Sequence, residues 1–205
     1  MVDVVFEWEK LSDSLREPFT GVVVHAEWNC ECVICRKSPI KHDKRLHLGI
    51  VPLDKAIDCQ SAWYNYSAKK WSSWGAFCYA MKKLGVSIGV SSLQELLEKL
   101  KGMIFEFESI TVVKYIERET GMKAPSKLPE ALAKKETWIP IRVVRPNELE
   151  FILREDFRQK IGDKINMDAI MQLAREAWEN HLKEHEQEET GIEEVTETTY
   201  DFTGV

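Results

Sequence analysis

From Arg45 to Val51 the residues alternate without a break, with Leu46, Leu48 and Ile50 on one side and Arg45, His47, Gly49 and Val51 on the other. Successive side chains of an extended chain point to opposite faces, so this segment reads as a β-strand with one face in a core. The β-branched run from Gly21 to Trp28 reads as a strand before it, and Ser61 to Ser67 as one after it. In that third strand Trp63, Asn65 and Ser67 share one face and Ala62, Tyr64 and Tyr66 the other, and its polar company makes Trp63 the better candidate for an exposed ring. Helix signals follow. Ser72 or Ser73 caps a helix through Trp74 to Leu84, stopped by Gly85, and Ser91 or Ser92 with Glu95 forms a capping box ahead of Leu93 to Leu100, ended by Gly102.

Met103 to Glu108 with Ile110 to Tyr115 reads as a fourth strand and Trp138 to Val144 as a fifth. The connection between them, Glu117 to Thr137, contains Gly121, Pro125, Pro129 and several lysines and reads as a loop or flap. Beyond Pro146, Glu148 to Ile161 and Asn166 to Lys183 read as helices. The second carries Ile170, Leu173, Ala174, Ala177, Trp178 and Leu182 at helical spacing, a stripe for packing on the strands or on a second copy.

Charge and aromatic rings are concentrated in one block. Between Arg36 and Lys83 ten basic residues face three acidic ones, among seven aromatics, in a chain whose formal net charge is −6. Cations neutralise phosphates and exposed rings stack on unpaired bases, so the block suits a single-stranded nucleic-acid groove. The candidate contacts are Lys37, Lys41, Lys44, Arg45, Lys69 and Lys70 for phosphates and Trp63, Tyr66, Trp71 and Trp74 for bases, with His47 and Tyr64 in second rank. Phe77 and Tyr79 read as core residues of the following helix. The opposing charge lies at the end, where Lys183 to Val205 holds one lysine against eight carboxylates.

Five strands with a helical insertion after the third is the order of an OB-fold, a small, partly open barrel. On Leu46 to Leu53, the aromatic strand, Gly75 to Gly85 and Leu96 to Phe107, the chain resembles OB-fold single-stranded-DNA-binding proteins of phages and archaeal viruses. The resemblance covers roughly residues 20 to 145. It implies a mainly β fold with α elements: a five-stranded OB-fold-like barrel at 1–145, a helical extension at 146–183 and a disordered acidic tail at 184–205. It also implies a non-catalytic role in DNA replication, recombination or repair, with single-stranded DNA as ligand; RNA presents the same phosphates and base faces. Replicative binders of this kind have an acidic tail with an aromatic tip, which 193–202 resembles, and the resemblance implies that the tail recruits replication or repair proteins or autoinhibits by competing with DNA for the basic groove. The alternative is a protein-interaction or oligomerisation module, with core aromatics and self-association through the C-terminal helix.

Cys30, Cys32 and Cys35 place three thiols within six residues, and the two-residue gap from Cys32 to Cys35 lets both sulfurs reach one tetrahedral zinc. The fourth ligand comes from His25, His42, His47 or Cys59, with His42 as first candidate, against the alternative of free thiols. The Gly-rich phosphate loop, GxSxG and HExxH patterns of common enzymes are missing. His181 and His185, one helical turn apart, read as a solvated pair. No apolar run approaches the roughly 20 residues of a membrane span, and residues 1–10 do not resemble a signal peptide, so the expected location is intracellular.

Overall fold

The computed structural model describes residues 17–32, 35–36, 44–54, 59–87, 90–151 and 167–190. Strands β1 (Phe19–Trp28), β2 (Arg45–Pro52), β3 (Gln60–Asn65), β4 (Ile104–Thr111) and β5 (Glu136–Val143) form one antiparallel sheet in the order β3-β2-β1-β4-β5. The alternation of β2 does what its pattern requires. Leu46, Leu48 and Ile50 join Val23, Ala62, Tyr64, Phe105, Phe107 and Ile139 in the main core.

Three helices cover that face. Helix α1 (Ser73–Lys83) is capped by Ser72, whose side chain accepts the Gly75 N–H, and buries Trp74, Phe77, Ala80 and Met81. Helix α2 (Leu93–Leu100) starts with a capping box in which Ser92 Oγ accepts from Glu95 N and Glu95 Oε2 accepts from Ser91 N. Helix α3 (Val112–Thr120) occupies residues that the sequence reads partly as strand and partly as flap. The β-branched pair Val112-Val113 suggests extension, but Thr111 caps the turn and Val112, Tyr115 and Ile116 fall on one buried helical face. Gly121 closes it with φ of 67°, the left-handed conformation that glycine tolerates best. A short helix α4 (Glu130–Ala133) leads into β5.

The sheet is not closed by a ladder between β3 and β5 among the described residues. A hydrogen bond from the Tyr64 hydroxyl to the Trp138 carbonyl at 2.5 Å links the two edges. On the opposite face, Val22, Val51, Ile104 and Val144 receive Ile170 and Ala174 of helix α5 (Met167–Thr190). Gly102, at φ of 86°, lets α5 approach, since a Cβ there would lie 2.6 Å from the Leu173 carbonyl oxygen. Lys99 pairs with Glu184, and the Arg145 guanidinium lies over the Trp178 ring at 5.8 Å.

Some expectations shift here. The helix read from Glu148 to Ile161 begins as a 3-10 turn, Pro146–Phe151, and the remainder lies outside the described residues. Helix α5 continues to Thr190, past the boundary read at Lys183, and 191–205 lie outside the described residues. The apolar stripe of α5 is broken at its end, where Leu182 is 42% exposed and His181 is buried at 6%. His181 is therefore not half of a solvated pair, because α5 turns it inward beside Trp178 and His185. No helix of the described residues is long and apolar enough to cross a membrane.

Candidate metal centre and nucleic-acid face

The outward face of β1 and β2 is built by register. Glu27 stands opposite His47 and His25 opposite Gly49, while across the next ladder His47 stands opposite Trp63. After Trp28 the chain turns at Asn29, whose φ of 53° is a left-handed value that asparagine adopts more readily than most residues. Asn29 donates its N–H to the Arg45 carbonyl at 2.8 Å and accepts the Arg45 N–H on its side-chain oxygen at 3.1 Å. That double bond pair ends the ladder and sends the cysteine loop back over the sheet.

The loop delivers its sulfurs to His47. One polar atom from each of Cys30, Cys32, Cys35 and His47 lies within 4.8 Å of the others, a set of three sulfurs and one imidazole that could hold a metal ion. A second group, His25, Glu27 and Cys30, satisfies the same condition. The Arg36 N–H donates to the Cys32 carbonyl at 2.9 Å. The Cys32 N–H points at Cys30 Sγ, 3.4 Å away.

His47 is oriented for coordination. Its Nε2 lies 3.1 Å from Ser61 Oγ and its Nδ1 lies 3.7 Å from Cys32 Sγ. A proton on Nε2, donated to Ser61, leaves the Nδ1 lone pair toward the cysteines, which is the tautomer a metal needs. Burial, reinforced by the positive charges of His25 when protonated and of Arg45, pushes the imidazole down to about 3 and keeps it neutral. Burial likewise holds the Cys30 and Cys35 thiols above their ordinary range, while the Trp63 side chain favours the Cys35 thiolate. Three thiolates crowded together without a cation would be costly, whereas a divalent ion compensates them and releases their protons.

His42, the first candidate for the fourth ligand, lies outside the described residues. Within them that position belongs to His47, because the outward face of β2 lies directly under the loop. Cys59 packs in the second apolar cluster, away from the sulfurs. Ser61 and Asn29 carry no sequence signal for their roles, since a serine and an asparagine near a turn are commonplace; only the strand register reveals them.

The nucleic-acid candidates divide. Lys37 and Lys41 lie outside the described residues. Tyr64 and Trp74 are core residues, at 0% and 5% exposure, because their faces of β3 and α1 turn inward; neither ring is available to a base. His47 is 1% exposed beneath the cysteine loop, which corrects its reading as a surface contact. Trp63 is half-buried, its ring parallel to His47 at 5.3 Å and 10°. Tyr66 and Trp71 are half-buried against the main core, and Lys44 lies over the Tyr66 ring at 5.4 Å. Lys44, Lys69 and Lys70 are exposed, Arg45 partly so. Lys70 Nζ meets Met122 Sδ at 3.1 Å, which brings the segment before α1 next to the connection after α3. Lys135, from the same β4–β5 connection, has its pKa lowered first by burial and then by the charge of Arg45. The β4–β5 connection thus comes near both Lys70 and Arg45. The chain matches no family model, and neither a curated protein nor a solved structure is found to match it.

Proposed function

We propose that the protein binds single-stranded nucleic acid without catalysing a reaction, DNA being the first candidate, on an OB-fold-like barrel whose β1–β2 loop is held by a structural zinc. The observation that carries this reading is that Arg45 opens β2 on the same face as His47, whose cross-strand neighbour is the half-buried Trp63, with exposed Lys44 next to it in sequence and Lys135 near enough for the Arg45 charge to lower its pKa. In OB-folds the outer face of the second and third strands and the loops joining strands one to two and four to five are the oligonucleotide-binding surfaces. The strand order β3-β2-β1-β4-β5, with helices between β3 and β4 and a barrel left open between β3 and β5, supports that likeness.

Four protein donors of soft and borderline character suit zinc and fill a tetrahedron, so the ion's role is to hold the loop on the sheet. The candidate contacts are Lys44, Arg45, Trp63, Tyr66, Lys69, Lys70 and Trp71 among the described residues, with Lys37 and Lys41 outside them. Recruitment of replication or repair proteins by the acidic end, and self-association, belong to the same reading and rest on sequence alone.

Titration of intrinsic tryptophan fluorescence with an unlabelled oligonucleotide tests it. Binding is expected for the single strand over the duplex and should weaken steeply with salt. Trp63→Ala should cost roughly 1–3 kcal/mol of affinity. Arg45→Gln should reduce the salt slope by about one. Metal content measured on both variants separates a lost contact from a lost zinc. Absence of binding, or binding indifferent to salt, rejects the reading.

A further inference from the structure

The zinc ligands proposed above share one sulfur with a second set of donors, and that sharing has consequences for how much metal the site takes. His25 Nε2 lies 3.3 Å from Cys30 Sγ and 3.5 Å from Glu27 Oε2. A four-coordinate ion with bonds of about 2.0–2.3 Å holds its donors roughly 3.3–3.8 Å apart, so both separations from His25 Nε2 suit two edges of a tetrahedron, and Cys30 and Glu27 lie within 4.8 Å of each other. They come from adjacent outward positions of β1 and from the first residue after its turn, all beside His47, whose ring centroid is 5.1 Å from that of His25.

We propose that the pocket holds two divalent cations of the zinc type bridged by the Cys30 thiolate. The first is bound by Cys30, Cys32, Cys35 and His47, and the second by Cys30, His25 and Glu27 with its remaining position open to water. The inference rests on the four-ligand centre being real. Charge favours the pair. One divalent ion among three thiolates and the Glu27 carboxylate leaves two negative charges uncompensated in a pocket whose cysteines are largely buried; a second ion balances them. Exposure assigns the two ions different characters. Cys30, Cys35 and His47 are buried, whereas the side chains of His25 and Glu27 are 31% and 53% exposed. The first ion is thus enclosed and the second faces solvent, so the second exchanges faster and binds more weakly.

The full chain, stripped with a chelator and reloaded with cobalt(II), tests this. Cobalt substitutes for zinc and reports thiolate ligation by charge-transfer absorption. The expected result is two cobalt ions per chain in two steps, with the second step reducing the paramagnetic signal per cobalt because the ions couple through the shared sulfur. His25→Ala should keep the first step and lose the second, leaving one ion per chain. Glu27→Gln, a near-isosteric change at an exposed side chain, should weaken the second step at least tenfold and serves if His25→Ala misfolds. One cobalt per chain in the unaltered protein overturns the proposal while leaving the four-ligand centre standing. A second ion that survives both variants, or that is lost on His185→Ala instead, overturns it as well. No thiolate-bound cobalt at all overturns both the pair and the centre beneath it.

Discussion

At the scale of single residues, Tyr64 does more than fill space. Its ring sits 4.4 Å from Phe77 in the main core, and its hydroxyl supplies a bond between the two sheet edges. Tyr64→Phe keeps the ring and removes the bond, so stability should fall by about 1 kcal/mol, rising toward about 3 if the Trp138 carbonyl is left dry. Urea unfolding measures it through a lower midpoint at unchanged slope; an unaltered midpoint would mean that the hydroxyl does not tie the edges. The inward direction of Tyr64 is readable from alternation, because Ala62 and Tyr64 share a face. Its partner, 74 residues away, is not readable, since nothing local to either residue encodes the meeting of β3 and β5.

Among the elements, α5 is held by mixed contacts and carries a pH dependence. The Nδ1 of His181 is buried without a hydrogen-bond partner among the described residues, and burial pushes this imidazole down to about 4, with His185 and Lys99 acting in the same direction and Glu184 against it. The unfolded chain, with an ordinary histidine near 6.5, therefore takes up the proton first as the medium is acidified. The stability contributed by neutral His181 is full above about pH 6.5 and is lost as pH falls toward 4. His47 acts with the same sign, so the informative comparison is between the native chain and His181→Leu. Thermal melts at pH 7 and pH 4.5 should differ less in the variant. An equal difference would show that α5 does not feel His181. Helix α3 teaches another lesson at this scale. Val112-Val113 reads as strand locally, yet the cap at Thr111 and the burial of Tyr115 and Ile116 outweigh a modest β preference.

For the whole molecule, the Cys30, Cys32, Cys35 and His47 cluster that could hold a metal ion joins loop cysteines to the sheet, so the proposed zinc should be worth global stability. At free zinc about a thousandfold above its dissociation constant, linkage amounts to ~4 kcal/mol, on the order of 10 °C in Tm for a chain of this size. Chelation should remove that increment from the native protein and shift Cys35→Ser, which lacks one ligand of the enclosed ion, much less. Equal melting with and without chelator would mean that the thiols are free. Much of this architecture is written locally. Period-two alternation marks β2, serine caps mark α1 and α2, and the close spacing of Cys30, Cys32 and Cys35 marks a place for a soft cation, because each pattern spans a few residues along one element. Tertiary structure decided the rest. Cross-strand register brought His47 under the cysteine loop and His25 and Glu27 beside it, the turn of α5 hid His181, and the packing of α1 took Trp74 into the core. Those outcomes depend on which segments become neighbours, and distant neighbours are selected by the packing of the entire sheet rather than by any stretch of sequence.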